Sequence, residues 1–185
     1  MGEIFVKLIG DGIYLRFLEE ADAPAMLDLR QRNRKYFEPF LVTQPEEFYT
    51  LDYQLKLIQK GLALMEDDQC YSFGIFMNES DELIGAVTLS DTIRGMVQSC
   101  FIGYYLDQKQ NGRGYMTQAV KLVVDDAFNV LHFHRVEAGV MPHNTGSKKV
   151  LEKVGFEVEG LNRKNVKING KWEDHVHFAM INPND

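Results

Sequence analysis

Tyr104–Leu131 reads YYLDQKQNGRGYMTQAVKLVVDDAFNVL, and the architecture can be worked out from this stretch. Its first three residues end an apolar, aromatic-rich run that begins at Gln98, the pattern of a strand. The chain breaks at Asp107–Asn111 and passes through Gly112-Arg113-Gly114. Beyond the break, Ala119, Val120, Val123, Val124, Ala127, Phe128 and Leu131 follow the i, i+3, i+4, i+7 spacing of one buried helical face. Two glycines let the backbone turn sharply and approach a ligand closely. The amides of Asn111 to Tyr115 are expected to be the first, unpaired donors of the helix. Such donors, at the positive end of a helix dipole, favour a phosphate. The stretch therefore predicts strand, glycine turn and helix, with an anion on the turn. An ordinary helix start whose glycines merely permit the turn is the other reading. A Gly-x-x-x-x-Gly-Lys-Ser/Thr loop is absent, and Thr117 stands where a dinucleotide fingerprint would need its third glycine.

Working outward, Arg135–Met141 reads as the next strand, so the helix is a crossover between parallel neighbours with a right-handed connection. Upstream, Ile13–Leu18 reads as a first strand. Asp22 as N-cap and Pro24 in the first turn open a helix to about Arg34. Thr43 and Glu46 are spaced as a capping box for a second helix with the seam Phe48, Leu51, Leu55, Ile58, Leu62 and Met65. Tyr71–Met77 and Leu83–Ser90 are strands joined by the turn Asn78–Glu82, and Asp91–Met96 is a loop. Downstream, Thr145–Val154 is a short helix stopped by Gly155. Arg163–Ile168 and Lys171–Ile181 form a hairpin around Asn169-Gly170, a strong two-residue turn signal.

The 185 residues carry no linker-like composition and are expected to form one domain, 1–185. Apolar residues make up 45% and charged residues 25%, ordinary values for a globular protein. A formal net charge of −7 argues against a nucleic-acid backbone or an anionic membrane as the main partner and leaves a cationic substrate open. No run of 18 apolar residues occurs, and MGEIFVKLIGDG lacks a signal peptide's pattern. Cys70 and Cys100 sit in apolar strand-like runs and read as reduced core thiols of a cytoplasmic protein. His132, His134, His143, His175 and His177 are not joined by carboxylates or cysteines into a zinc signature, so no metal is expected.

A second motif follows the crossover: Asn144-Thr145-Gly146-Ser147-Lys148-Lys149-Val150-Leu151-Glu152-Lys153-Val154-Gly155-Phe156. KQNGRGYMTQAV followed by N-x-x-S-x-x-V-L-E-K-x-G-F resembles the acetyl-CoA-dependent N-acetyltransferases of the GNAT superfamily. The resemblance spans about Gly12 to Ile181 and is nearest to the RimJ/RimL-like branch that acetylates ribosomal-protein N-termini. It implies an α/β (α+β) GNAT fold: a mixed central sheet of five to seven strands, a splayed parallel pair and flanking helices. It also implies acetyl-CoA as cosubstrate. Amides of Asn111, Gly112, Arg113, Gly114, Tyr115 and Met116 would hold the pyrophosphate. Tyr104, Tyr105 and Leu106 would pair with the pantetheine arm, and an amide near Tyr105 or Leu106 would polarise the thioester carbonyl.

The two remaining site residues, Asn144 and Ser147, have a catalytic role by the same resemblance. Asn144 would contact the cofactor arm, and Ser147 would return a proton to the departing thiolate. By residue type alone, Asn144 is equally an N-cap and Ser147 a first-turn serine. Lys148, Lys149 or Lys153 would meet the adenosine 3′-phosphate, the alternative being a solvated helix face.

Three positions depart from the family pattern. Lys109 replaces the usual Gln or Arg before the first glycine. Phe101 stands where many members of the family carry a strand glutamate used as base, and Val166 where some RimL-like enzymes carry a glutamate in the same role. Glu38, Asp91, Glu137 and Asp174 are the substitutes to weigh. The expected reaction is direct attack of an amine on acetyl-CoA, the amine being most naturally a protein N-terminus. A small cationic amine such as a polyamine or aminoglycoside, or a CoA-binding module without catalysis, are the alternatives. A homo-oligomer is compatible with all of them.

Overall fold

The computed structural model describes residues 7–185; the first six, part of the N-terminal stretch that lacks a signal-peptide pattern, lie outside the described residues. The elements in order are β1 (Lys7–Ile9), β2 (Ile13–Phe17), α1 (Ala23–Arg32), α2 (Arg34–Phe37), α3 (Leu51–Glu66), β3 (Tyr71–Met77), β4 (Leu83–Ile93), β5 (Ser99–Leu106), α4 (Tyr115–Asn129), β6 (Arg135–Val140), α5 (Thr145–Val154), β7 (Glu157–Ile168) and β8 (Lys171–Ile181). The strands form one mixed sheet of eight, ordered β1-β2-β3-β4-β5-β6-β8-β7. That is more than the five to seven expected. Every neighbouring pair is antiparallel except β5–β6, the pair that α4 bridges.

Alternation along the strands sends side chains to two cores. On one face, Cys100, Ile102, Val136, Ala138 and Phe178 meet the buried stripe of α4, Ala119, Val120, Val123, Val124, Ala127 and Phe128. On the other, Tyr14, Phe76 and Leu83 meet Met26 and Leu29 of α1 and Ile58 of α3. Burying a Val, Leu, Ile or Phe side chain stabilises by roughly 1.5–3 kcal/mol. Four such residues on α4 therefore fix the helix, and with it the turn that precedes it.

Local departures from the sequence reading have local causes. Thr43 does not cap a helix: its backbone N–H donates to Asn169 Oδ1 at 2.9 Å, and Glu46–Tyr49 forms a 3₁₀ turn. The cap of α3 is Thr50, whose hydroxyl accepts from Tyr53 N–H. The helix then buries Gln54 and Ile58, while Leu51 is half exposed. Asp22 precedes α1 but does not cap it, because Arg16 grips its carboxylate at 2.7 and 2.8 Å and Glu19 N–H donates to it at 2.8 Å. β4 continues through Asp91 to Ile93, so the loop expected at Asp91–Met96 is shorter. β7 begins at Glu157, well before Arg163.

Candidate functional site

β5 and β6 stay in parallel register only briefly: Ser99 opposite Arg135, Cys100 opposite Val136, Phe101 opposite Glu137. β5 runs on to Leu106 along β4, while β6 follows β8. The strands part, and the wedge opens into a cavity of about 440 Å³. Its walls are Tyr104, Tyr105 and Leu106 from β5, Asn111, Gly112, Gly114, Tyr115 and Met116 from the glycine turn and α4, and Asn144 and Ser147 at α5. Of the eleven candidates, Arg113 does not line the cavity. Lys149 and Lys153 reach its wall and Lys148 does not.

Gly112 and Gly114 have φ of +78° and +82°, a region in which a Cβ is strained. Asn111 N–H is used within the turn, by Gln108 O at 3.2 Å, so the open donors start one residue later than expected. Gln118 N–H donates to Gly114 O at 3.1 Å. Among the described residues the amides of Gly112 to Thr117 have no intramolecular acceptor. Their arrangement at a helix start fits an anion.

The turn is anchored from below. Asp107 is buried and accepts Arg32 Nε at 2.7 Å and Lys109 N–H at 3.0 Å. Asn33, at the end of α1, accepts Gln108 N–H at 3.0 Å. Burial alone would raise the Asp107 pKa, but these hydrogen bonds and the Arg32 charge hold it below the usual range.

Opposite the turn, Asn144 Oδ1 accepts Ser147 N–H at 3.1 Å. Asn144 is therefore an N-cap, and its carboxamide nitrogen has no partner among the described residues. Ser147 Oγ lies 2.9 Å from Tyr104 Oη, which also donates to Ser147 O at 3.1 Å. Burial pushes the Tyr104 phenol up to about 12, against a smaller lowering by the Ser147 bond.

The roof comes from residues that motif reasoning did not assign to this cavity: Tyr36, Phe37, Phe40 and Leu41. Asn111 Nδ2 donates to Tyr36 Oη at 2.7 Å, and Phe40 stacks on His143 at 5.9 Å. Asn169 at the β7–β8 turn ties this segment down, accepting Thr43 N–H and donating to Glu38 O at 3.1 Å. The signal available was the aromatic density of Tyr36–Phe40.

Where the strands fork, on the face turned away from α4, Glu137 lies 2.8 Å from His177 Nε2 and accepts from Arg135 at 3.3 Å. Phe101 meets His177 edge-on at 6.1 Å. The other candidate carboxylates are elsewhere. Glu38 is exposed, Asp91 accepts from Ser90, and Asp174 accepts Lys164 N–H at 2.8 Å. Among the described residues no group of His, Cys, Asp or Glu side chains is placed to hold a metal ion. Among the described residues no helix is long and apolar enough to cross a membrane.

Comparison with known proteins agrees with this geometry. A family model described as "Acetyltransferase (GNAT) domain" matches residues 13–157. The chain is 52% identical to the Bacillus subtilis protein named "Probable N-acetyltransferase YjcK", over 96% of this chain and 98% of that one. It is 31% identical to the Escherichia coli "[Ribosomal protein uS5]-alanine N-acetyltransferase", over 96% and 92%. It superposes with a TM-score of 0.87 on Mycobacterium smegmatis RimJ in complex with CoA-disulfide, at 27% identity, covering 91% of this chain and 81% of that chain.

Proposed function

The chain belongs to the GNAT acetyltransferase family, and from that premise we propose that it moves the acetyl group of acetyl-CoA to the N-terminal α-amine of a protein, in the cytoplasm. The observation that carries this reading is the wedge between β5 and β6 with unpaired amides of the glycine turn on its wall. A mononucleotide-like pyrophosphate suits those donors, and an extended arm suits the free edge of β5. The E. coli relative named for uS5-alanine supports a protein N-terminus as acceptor. The net charge of −7 supports a polycationic small amine as the second reading.

In the proposed reaction the amine nitrogen bonds to the thioester carbonyl carbon, a proton leaves the nitrogen, and the C–S bond breaks to release CoA thiolate. Glu137, steadied by His177 and Arg135, is the carboxylate nearest the fork and would receive that proton directly or through water. Ser147 would act differently from the proton return its motif implies. The Tyr104–Ser147 pair has a phenol pKa of about 12, against about 8.5 for a thiol. Giving up the proton would be uphill by roughly 5 kcal/mol at 1.36 kcal/mol per unit. The pair is suited to donating a hydrogen bond to the leaving sulfur while keeping its proton.

Calorimetric titration with acetyl-CoA, joined to a free-thiol assay with peptide and small-amine acceptors, tests the function. Micromolar binding and thiol release dependent on a peptide α-amine are expected. Binding without release for any amine would leave a CoA-binding module and reject the reading.

A further inference from the structure

Arg30, on the last turns of α1, stands apart from the protein's other partly buried arginines. Arg16, Arg32, Arg94 and Arg135 each bond a carboxylate. Arg30 has no carboxylate within 4.0 Å and no side-chain hydrogen bond among the described residues, and its Nε is buried without a partner. Its guanidinium is instead held by rings: 3.7 Å from the Tyr105 centroid, 5.5 Å from Phe48 and 5.9 Å from Phe37. A guanidinium stays charged at any physiological pH, and removing it from water without an anion is costly. Its planar fork matches a carboxylate in a bidentate pair.

The side chain borders a second cavity of about 140 Å³, on the face of the sheet turned away from α4, with Tyr105, Thr88, Ser72 and Gln54 among its walls. Tyr105 lines this cavity and the wedge alike. The cation therefore lies against a ring that also forms part of the wedge wall. Gly103, two residues back along β5, leaves open space above the sheet, since a Cβ there would meet nothing within 4 Å. From Tyr105 back to Phe101 is four strand residues, roughly 13 Å at about 3.3 Å each. An extended peptide covers that span in about four residues.

We propose that Arg30 and its aromatic cage form an anion subsite that takes a carboxylate carried by the acceptor, close behind the amine to be acetylated. The subsite rests on the acetyl-transfer reading for its role, and it selects against polyamines, whose second charge would meet Arg30. It favours acidic peptide N-termini.

Binding separates the subsite from the catalytic reading, because affinity is read whether or not acetyl moves. The probes are C-terminally amidated heptapeptides with a free N-terminal alanine and one glutamate at the second to fifth position, each with a glutamine twin. An alanine-led tripeptide with a free C-terminus and its amide form a second arm, for a terminal carboxylate. Dissociation constants are measured by calorimetry on the CoA-bound protein. At one position, or in the tripeptide arm, the carboxylate form should bind at least tenfold tighter than its neutral twin. Arg30→Gln should abolish the difference with an unchanged affinity for neutral peptides, and Arg30→Lys should keep part of it. Melting temperatures verify that both variants fold. Equal affinities for every pair in the wild type, or a preference that survives in Arg30→Gln, overturn the subsite. Failure of all peptides to be acetylated while the preference holds rejects the acetyl-transfer reading instead.

Discussion

His177 Nε2 lies 2.8 Å from a carboxylate oxygen of Glu137, and Glu137 stands directly across the parallel pair from Phe101. The family resemblance leads one to expect a glutamate where Phe101 sits. Here a carboxylate occupies the facing position on β6, half-buried and oriented by His177 and Arg135. The phenylalanine ring fills the space beside the imidazole.

If Glu137 receives the amine's proton, Glu137→Gln should lower kcat/KM at least tenfold near pH 7, with the acetyl-CoA dissociation constant unchanged. Asp174→Asn, a carboxylate that accepts the Lys164 N–H in the β7–β8 hairpin, serves as control and should leave the rate alone. Equal rates for Glu137→Gln and wild type would remove Glu137 from the mechanism.

Ser147→Ala should lower kcat roughly tenfold or more while acetyl-CoA binding changes little. Tyr104→Phe removes the partner at 2.9 Å and should show a smaller loss in the same direction. Steady-state kinetics beside calorimetry measure both. A Ser147→Ala enzyme with wild-type turnover would reduce the serine to part of the α5 cap.

Asp107 ties β5, α1 and the glycine turn together, so its charge should be visible in stability. The folded pKa is depressed, so its contribution is present above the unfolded value of about 3.9 and is lost as pH falls through the folded value. Asp107→Asn should destabilise the protein by roughly 1–3 kcal/mol at pH 7 in urea unfolding. The gap between variant and wild type should narrow below about pH 4. A gap independent of pH would mean that packing, not charge, holds the anchor.

The parts of this molecule that could be read from the sequence are those with a strict local code. The α4 stripe of Ala119 to Phe128 obeys helical spacing and is buried as expected. Asn169 and Gly170 both adopt positive φ, as a two-residue hairpin turn requires. Gly155 ends α5 in the left-handed region. What stayed hidden depends on contacts distant in sequence. Thr43 matches a capping box but is claimed by Asn169, which is 126 residues away. The role of Tyr36–Leu41 as a roof needs the turn and α5 beneath it. Arg30 looks like any helical arginine until Tyr105, Phe48 and Phe37 close around it.

The anion reading of the turn makes a separate demand. Gly114 sits at φ +82°, where a β-branched side chain is strained, and its amide is one of the open donors. Gly114→Val should therefore displace the amides and raise the acetyl-CoA dissociation constant at least tenfold, with circular dichroism showing a retained fold. A folded variant with unchanged affinity would locate the cosubstrate elsewhere.

The proposed function turns on which amine is acetylated. An α-amine has a pKa of about 7.7–8.0, so roughly a tenth is neutral near pH 7, while a lysine amine at about 10.4 is neutral in fewer than one molecule in a thousand. Neutralising the lysine amine at pH 7 takes about 4.6 kcal/mol, against about 1–1.4 for the α-amine. The proton that Glu137 is proposed to take comes off the α-amine at the smaller cost, so the site suits the α-amine. The decisive measurement is fragment-ion mapping of the acetyl group on a peptide that bears one free α-amine and one internal lysine, followed from pH 7 to 8.5. The label should appear on the N-terminal nitrogen, at a rate that rises through this range. A label carried mainly by the lysine would contradict N-terminal acetylation as the function of this protein.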